Sequence, residues 1–572
     1  MAAEKKTTRE LNQRFRTALV GPPASRPRYA APGSGNESAL EVESRYPSML
    51  RTPSIETVSD LFIRATQWCG KDEMFVDDDH RISGFDVLDQ ALRLAQGFSR
   101  LGVAPGDVIP FLCRSSARHA VTWLAAPLSG RIACNLHVRE TSRRLGEVLG
   151  WLDAKVLVYD PELETEALAA IAVLGRPIQL ISLGERGHAN THYSDMITTC
   201  SPFDVAAARP KPDDVAAIVL SSGSTGSPKG VMHTQKTLLE GSKSGQTALA
   251  LITPKSSILL YINPSFAAWT LILLPFIAAS AKACFGKTFA APDFLKACQR
   301  ERITFAPSVP TVWRMLFDAG PEKYDLSSLT LAAVSGEAPS ETDVRQMYSR
   351  ICKTIRCFYA SGESFIGTCF SVTPEELAEG GKIGSSGRPL IGNDIKIVAP
   401  GGEFDDELPV GESGEILLSS PATAVGYWKD SEMTRKKFID GWWRSGDLGR
   451  LDADGHLYVL GRLDNVINTG GMKVHSEEIE HALLTHPAVA QCAVVGQIDV
   501  QLGQRIEAYM VARGERPEAE ELSQFLRRHH HLAGYKVPKV FHWIDALPLG
   551  LTGKVSRIAL RTSKPVDSNV WP

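Results

Sequence analysis

The stretch that decides the fold is "SSGSTGSPKG", residues 221–230, which holds three glycines, five hydroxyl side chains, one proline and one lysine. Glycines let backbone N–H groups approach an anion closely, and hydroxyl groups can donate further hydrogen bonds to it. Lys229 adds a mobile positive charge suited to outer phosphates. On composition alone, a flexible surface loop explains the stretch equally well.

The position of this stretch along the chain favours a phosphate-binding loop. It follows "VAAIVL" (215–220), which is predicted to be a buried strand, and it precedes the helix-like "TQKTLLEGSKSGQTALAL" (234–251). It is not the common P-loop, because that template needs Gly-Lys followed by Ser or Thr, whereas Lys229 precedes Gly230. The residues predicted to hold phosphate are Ser221, Ser222, Gly223, Ser224, Thr225, Gly226 and Lys229.

Composition places the chain among ordinary globular proteins. Its 572 residues are 43% apolar and 22% charged, which allows several well-packed domains. The net charge of −3 provides no basic field for nucleic acid. Ten scattered cysteines without a CxxC pair exclude the usual zinc spacing and indicate reduced, mostly buried thiols. The N-terminus has no secretory signal, and the longest apolar run, 269–284, is too short for a membrane span and predicts a buried helix. These features predict a cytoplasmic protein without a transmembrane segment.

The pattern of helix-like and strand-like runs changes several times along the chain. Strand-like runs alternate with helix-like runs from about Thr57, a pattern typical of α/β layers. Near Gly387 a β-rich section begins, and after Asp464 helix-like and strand-like runs indicate a separate α+β domain. The predicted fold class is α/β: a large N-terminal body of layered subdomains plus a β-rich subdomain, with a small mobile α+β C-terminal domain. The predicted domains are a Pro/Gly/Ser-rich extension at 1–55, the large domain at 56–463 and the C-terminal domain at 464–572.

Five further motifs follow the opening loop in order. They are "VSGEAPS" (334–340), "FYASGES" (358–364), "GWWRSGDLG" (441–449), "GRLDNVINTGGMKVHSEEIE" (461–480) and "LPLGLTGKVSRIAL" (547–560). Together with the loop they resemble the signature of the adenylate-forming superfamily, which includes acyl-CoA synthetases, non-ribosomal adenylation domains and luciferases. The resemblance covers residues 221–560, and six ordered motifs are specific where each single motif would be weak.

The resemblance implies a nucleotide site. Tyr359 would stack on the adenine, Glu363 would hold Mg²⁺, Asp447 would accept hydrogen bonds from both ribose hydroxyls, and Arg462 would lie near the ribose. Asp464 would be the hinge of the C-terminal domain. The small-residue loop beside the adenine would be Ser335, Gly336, Glu337, Ala338 and Pro339.

The resemblance also implies the reaction. A carboxylate attacks the α-phosphorus of ATP and pyrophosphate leaves, so the site must neutralise the charge that develops there. The catalytic residues would be Lys554, which bridges the carboxylate and the α-phosphate, Glu363 through Mg²⁺, and Lys229. The predicted cofactors are ATP, Mg²⁺ and coenzyme A.

In the CoA-forming members of this superfamily the small domain then turns about the hinge and opens a channel for the pantetheine. Gly470 and Gly471 would form a thin wall of that channel. Lys536 and Lys539 would contact CoA phosphates, although solvated surface lysines explain them as well.

Two positions depart from the family pattern. Gly362 stands where a threonine usually precedes the metal-binding glutamate, and Ala267 stands where a histidine usually follows an aromatic residue. The small Ala267 beside Phe266 and Trp269 suggests extra room with an apolar wall, which favours a bulky or hydrophobic acid (fatty, aromatic or polycyclic). Packing of these residues in the core is the equal alternative.

The sequence therefore predicts an ATP-dependent carboxylic acid–CoA ligase that acts through an acyl adenylate. The predicted partners are a small-molecule carboxylic acid, ATP and CoA, with a homodimer left open and no nucleic acid. The alternatives are a stand-alone adenylating enzyme that loads a carrier protein, a luciferase-type oxidation, and a catalytically inactive nucleotide- or acyl-binding homologue.

Overall fold

Helices and strands alternate along the first part of the computed structural model, which describes residues 54–572 apart from 186, 223–227, 250–251, 337–338, 380, 531, 550–554, 563–567 and 571–572. Several helices begin at a side-chain cap; the Thr57 and Ser83 hydroxyls, for example, accept hydrogen bonds from backbone N–H groups of the first turn. The elements are α1 (Val58–Cys69), β1 (Glu73–Val76), β2 (Arg81–Ser83), α2 (Gly84–Arg100), β3 (Val108–Leu112), α3 (Ala117–Leu128), β4 (Ile132–Asn135), α4 (Ser142–Trp151), β5 (Val156–Tyr159), α5 (Glu164–Leu174), β6 (Gln179–Ser182), β7 (Thr191–His192), α6 (Tyr193–Thr199) and β8 (Val215–Ser222).

The alternation continues through the middle of the chain. The elements there are β9 (Pro228–Thr234), α7 (Gln235–Leu249), β10 (Ser257–Leu260), α8 (Ala267–Ala278), β11 (Lys282–Phe285), α9 (Ala291–Arg300), β12 (Phe305–Ser308), α10 (Pro310–Asp318), β13 (Leu331–Ser335), α11 (Glu341–Arg350), β14 (Ile355–Ser361) and β15 (Phe365–Val372). A β-rich section follows, with α12 (Pro374–Glu379), β16 (Arg388–Pro389), β17 (Asp394–Val398), β18 (Gly414–Ser419), β19 (Gly426–Tyr427), α13 (Ser431–Lys437), β20 (Phe438–Ile439), β21 (Trp442–Leu451) and β22 (Leu457–Arg462).

The C-terminal section mixes helices and strands. It contains β23 (Val466–Thr469), β24 (Met472–His475), α14 (Ser476–Leu484), β25 (Val489–Asp499), β26 (Gly503–Ala512), α15 (Ala519–His529), β27 (Val540–Trp543), α16 (Arg557–Thr562) and β28 (Ser568–Val570). Its own sheet has the order β24-β23-β26-β27-β28, with β25 on β26. Leu522, Phe541 and Trp543 are buried in the apolar core that this sheet shares with α14 and α15.

Two large sheets form the body of the protein. One has the order β19-β9-β8-β4-β3-β5-β6-β7, and the other has the order β16-β15-β14-β13-β12-β10-β11-β1-β2. Their central strands are parallel, while antiparallel strands such as β9, β15 and β2 lie toward the edges. A smaller antiparallel sheet, β17-β18-β21-β20 with β22 on β21, is the β-rich section. The predicted α/β class with a β-rich subdomain is therefore confirmed.

The local structure around residues 221–230 differs from the expectation in one respect. A strand, β9, lies between the loop and the helix, and it pairs antiparallel with β8 from Ser222↔Pro228 to Val215↔Thr234. The helix α7 begins only at Gln235. Gly230 is required for this close pairing, because a Cβ at this position would lie 2.8 Å from the side chains of both Ile218 and Trp151. The loop thus connects the two strands of a hairpin.

Burial of the apolar run and of the cysteines was also predicted. The run at 269–284 is helical only in its first part, in α8, which is buried along most of its length and ends at Ala278; residues 282–284 begin β11, so the helix prediction was wrong for that end. No helix within the described ranges is long and apolar enough to cross a membrane. All ten cysteines are free thiols; eight are buried, while Cys369 and Cys492 are partly buried.

Candidate active site

Glu363 lies at the tip of the hairpin between β14 and β15. Ser361 pairs with Phe365, so the turn consists of Gly362, Glu363 and Ser364. The Ser361 hydroxyl accepts a hydrogen bond from the backbone N–H of Ser364 (3.0 Å), and the Glu363 carbonyl accepts one from the backbone N–H of Ala424 (2.8 Å). The turn that presents the carboxylate is therefore held by hydrogen bonds at both ends.

The Glu363 carboxylate accepts a hydrogen bond from the Tyr427 hydroxyl, with 3.1 Å between Oε1 and Oη. Burial raises the pKa of Glu363, while Tyr427 and the nearby Arg462 act in the opposite direction. Burial destabilises the charged form of a carboxylate, and a bound cation restores its stability. Carboxylate oxygens are also ligands that suit Mg²⁺. Glu363 therefore fits the predicted role as a metal ligand.

His233, a residue that the sequence analysis did not select, supports the same turn. Its Nε2 donates a hydrogen bond to the Gly362 carbonyl (2.7 Å), and its ring contacts Phe365 edge-on. Burial lowers the pKa of His233 to about 4, so the imidazole is neutral at physiological pH. His233 and Tyr427 escaped sequence analysis because they reach Glu363 only through the pairing of β19 with β9 and through the packing of β9 against the turn.

Three predicted nucleotide residues form one cluster beside this turn. The Asp447 carboxylate accepts hydrogen bonds from the Tyr359 hydroxyl (2.6 Å) and from the Arg462 guanidinium (2.8 Å). Asp447 and Arg462 lie opposite each other in the β21–β22 pair. The Tyr359 side chain is largely buried, and burial together with Asp447 holds the pKa of its hydroxyl well above the usual range. The structure thus brings Tyr359, Asp447 and Arg462 together, and their roles toward the nucleotide stay predictions.

Lys229 lies near the tyrosine that bonds to Glu363. Its ammonium is 6.0 Å from the centre of the Tyr427 ring, and the hydroxyl of Tyr427 donates a hydrogen bond to the Glu363 carboxylate. The backbone of Ser221 and Ser222 belongs to β8. The predictions for Gly223, Ser224, Thr225 and Gly226 lie outside the described residues, as do those for Glu337, Ala338 and the catalytic Lys554.

The described part of the predicted adenine loop follows β13. Ser335 ends that strand, Gly336 has φ +90°, and Pro339 is buried. A Cβ at Gly336 would lie 3.3 Å from Val309, so the backbone conformation, more than space, explains the glycine. Their contact with adenine stays a prediction.

The residues predicted for the hinge and the channel lie in separate places at and beyond the end of β22. Asp464 is exposed in a single 3₁₀ turn after β22, with its carboxylate 3.9 Å from the Arg462 guanidinium. Gly470 and Gly471 form the turn between β23 and β24, with φ +56° and +79°. The Lys536 ammonium binds both carboxylate oxygens of Glu478 (2.7 and 2.8 Å).

Lys539 donates its backbone N–H to Ile506 at the start of β27, and its side chain is partly buried. The roles of Lys536 and Lys539 toward CoA stay predictions.

The two departures from the family pattern are neighbours in space. A Cβ at Gly362 would lie 3.6 Å from the Ala267 Cβ, with Val219 and Val231 as the next nearest side chains. Phe266 caps the N-terminus of α8, and Ala267 is its first residue. Trp269 is fully buried and donates its indole N–H to the Ser115 hydroxyl (3.0 Å). This residue therefore packs in the core, which was the alternative to a role in the pocket wall.

This geometry predicts the outcome of Gly362→Thr. The added Cβ meets only ordinary van der Waals contacts, so we expect adenylation to be intact or faster, by about 100-fold at most, because a hydroxyl bonded to a charged phosphate contributes about 1.5–3 kcal/mol. Pyrophosphate release measures the effect, and Gly362→Ala is the control that adds the Cβ without the hydroxyl. A large loss of rate in the threonine variant alone would show that the position has another use.

Comparisons with known proteins identify the family of the chain. The chain matches the family of AMP-binding enzymes over residues 61–428 and the C-terminal domain of AMP-binding enzymes over residues 478–554. It is 32% identical to a feruloyl-CoA synthase of an Amycolatopsis species, over 82% of this chain and 91% of that protein. It is 29% identical to the 2-succinylbenzoate–CoA ligase of Bacillus licheniformis, over 84% of this chain and 95% of that one.

Solved structures share the fold. The amide bond synthetase McbA from Marinactinospora thermotolerans superposes with a TM-score of 0.78 at 25% identity, covering 88% of this chain and 99% of that one. The chain belongs to the AMP-binding enzyme family, and the predicted family and fold are confirmed. It is an acid–thiol ligase that uses ATP, Mg²⁺ and CoA, as the motifs predicted.

Proposed function

We propose that the protein activates a bulky aromatic or polycyclic carboxylic acid as its acyl adenylate and transfers the acyl group to CoA. The observation that carries this proposal is that two small residues, Gly362 and Ala267, face each other beside the Glu363 turn, with Val219 and Val231 as the next nearest side chains. Side chains smaller than the threonine and histidine of the family pattern leave more of the apolar surface at this point to a bulky substrate. Relatives named for bulky acids, such as feruloyl-CoA synthase and 2-succinylbenzoate–CoA ligase, support the same class.

Different residues among those described have different roles in the first half-reaction, the formation of the acyl adenylate. The Asp447–Arg462 pair orients the ribose, and Lys229 approaches the outer phosphates. Glu363 would hold Mg²⁺, which supplies positive charge against the phosphate oxygens when it is bound. The hydrogen bonds that hold the Glu363 turn keep its carboxylate in place before substrates arrive, so little reorganisation accompanies the reaction.

The test is pyrophosphate release with Mg·ATP and a panel of acids, each run with and without CoA, with mass spectrometry of the products. The panel comprises ferulate, 2-succinylbenzoate, a polycyclic propanoate, a medium-chain fatty acid and acetate. We expect the bulky acids to give acyl-CoA and acetate to give none. An adenylate that CoA does not discharge favours a carrier-protein or other acceptor, and silence with every acid favours the inactive homologue.

Three further predictions need their own measurements. The homodimer is tested by light scattering on the purified chain, and the cytoplasmic location by fractionation of the source cells. The domain boundaries near residues 55 and 464 are tested by limited proteolysis, which is expected to cut first at exposed connections.

A further inference from the structure

Lys437 is a cation of the site region that none of the sequence motifs includes. It is the last residue of α13, immediately before β20, and only 25% of its side chain is exposed. Its nearest carboxylate among the described residues is that of Glu415, whose Oε1 is 3.9 Å from the ammonium. This distance is longer than a hydrogen bond, so the contact is a weak ion pair.

Glu415 has stronger partners than Lys437. Its carboxylate is buried and binds the Arg444 guanidinium through Nη2 (2.6 Å) and Nε (3.1 Å), and it also accepts the backbone N–H of Gly446 (3.1 Å). Two charge-assisted hydrogen bonds from Arg444 to Oε2 already neutralise this carboxylate. The charge of Lys437 is therefore in excess of what Glu415 requires.

The ammonium of Lys437 points toward other cations. A Cβ at Gly446 would lie 3.4 Å from Lys437 Nζ and 3.4 Å from Arg462 Nη2, so both groups approach the same point beside Asp447. Burial lowers the pKa of Lys437, and Arg462, Lys229 and Arg444 lower it further, although Glu415 acts in the opposite direction. Like charges that converge in a partly buried site are stabilised by an anion that binds between them.

A charge balance indicates which anion this is. Arg444 is paired with Glu415 and Arg462 with Asp447, whereas for Lys229 and Lys437 the described residues show no comparable carboxylate at hydrogen-bond distance. Glu363 is the predicted Mg²⁺ ligand, so it is not a partner for either lysine. Mg·ATP carries a net negative charge, which these two ammonium groups can neutralise.

We propose that Lys437 binds a phosphate group of the nucleotide, as a second lysine beside Lys229. Lys437 lies near Arg462, the predicted ribose residue, and its charge interacts with that of Lys229, the lysine predicted for the outer phosphates. Its role is to bind and position the nucleotide. The inference rests on the proposed nucleotide-dependent function, but it concerns binding and is tested without turnover.

The test measures the affinity of the full-length chain for Mg·ATP, AMP and adenosine by calorimetry, in the wild type and in Lys437→Met. We expect the dissociation constant of Mg·ATP to rise about tenfold, the effect of one lost charge-assisted contact, while that of adenosine is unchanged. A loss with AMP as well places the contact at the α-phosphate, and a loss with Mg·ATP alone places it at the outer phosphates.

Two control variants separate charge from structure. Lys436→Met removes the neighbouring exposed lysine of the same helix end, and we expect it to leave all three affinities unchanged. Lys437→Arg keeps the charge and is expected to keep most of the Mg·ATP affinity. Equal losses for ATP and adenosine, or equal losses in both methionine variants, would overturn the proposal. Wild-type ATP binding without acid-dependent pyrophosphate would contradict the proposed function alone.

Discussion

Replacing Lys554 by alanine is expected to slow acyl-adenylate formation by about 10²–10³-fold, because a lysine that bridges the carboxylate and the α-phosphate acts on charge that develops in the transition state. Thioester formation from a chemically prepared adenylate is expected to stay within about threefold of the wild type, since that step does not need the same bridge. This difference between the two half-reactions follows from the resemblance that placed Lys554 on a mobile domain.

The residues on both sides of Lys554 are well anchored. Leu549 and Val555 form an antiparallel bridge, and the backbone N–H of Ser556 donates to the Pro548 carbonyl (2.7 Å). Arg557 binds the Glu480 carboxylate of α14 through its Nη2 (2.8 and 2.9 Å). Truncating the Lys554 side chain therefore leaves the anchors of the segment intact, and we expect the folding of the C-terminal section to be unaffected.

The rate of adenylation is measured as pyrophosphate release in the absence of CoA. The rate of the second half-reaction is measured as acyl-CoA formation from the prepared adenylate. The matched control is Arg561→Ala, which removes a cation from an exposed position in α16 of the same section. An equal fall in both half-reactions would contradict the assigned role, and so would an equal effect of the control.

The order of the motifs allowed the family, the fold class and most of the nucleotide cluster to be predicted, because each motif is short and local. Asp447 and Arg462 are good examples: they are 15 positions apart, yet their motifs place them on paired strands where they meet. Residues contributed by pairing between distant segments could not be found in this way. Tyr427 reaches Glu363 because the two-residue strand β19 pairs with β9. A strand of two residues is too short to show the alternation of apolar and polar residues by which a strand is predicted.

The acyl side of the site shows another limit of sequence analysis. A run of apolar residues such as 269–284 is equally consistent with the wall of a pocket and with a core helix, because both are buried and apolar. The structure places Trp269 fully inside, in contact with Trp123 and His119, while Ala267 at the start of the same helix faces Gly362. The helix therefore contributes to the core at Trp269 and lies against the Glu363 turn at Ala267.

Replacing Glu363 by glutamine is expected to lower kcat/KM by at least about 100-fold and to raise the Mg²⁺ concentration needed for half-maximal rate, because the amide keeps the shape but removes the charge that holds the cation. The turn is expected to survive, since the Glu363 side chain takes no part in the bonds that hold it. These are the bond from the Ser364 N–H to the Ser361 hydroxyl, the bond from the Ala424 N–H to the Glu363 carbonyl, and the His233 bond to Gly362. Thermal unfolding checks that expectation.

Tyr427→Phe distinguishes charge from orientation at the same carboxylate. It removes the hydroxyl that donates to Glu363 but leaves the negative charge, so a loss of only about 3–10-fold is expected, the net value of one ordinary hydrogen bond of about 0.5–1.5 kcal/mol. Glu403→Gln, at an exposed position of the β-rich section, controls for a general change of charge. Initial rates over a Mg²⁺ titration rank the three variants, and a Glu363→Gln enzyme with an unchanged Mg²⁺ requirement would remove Glu363 from the metal site.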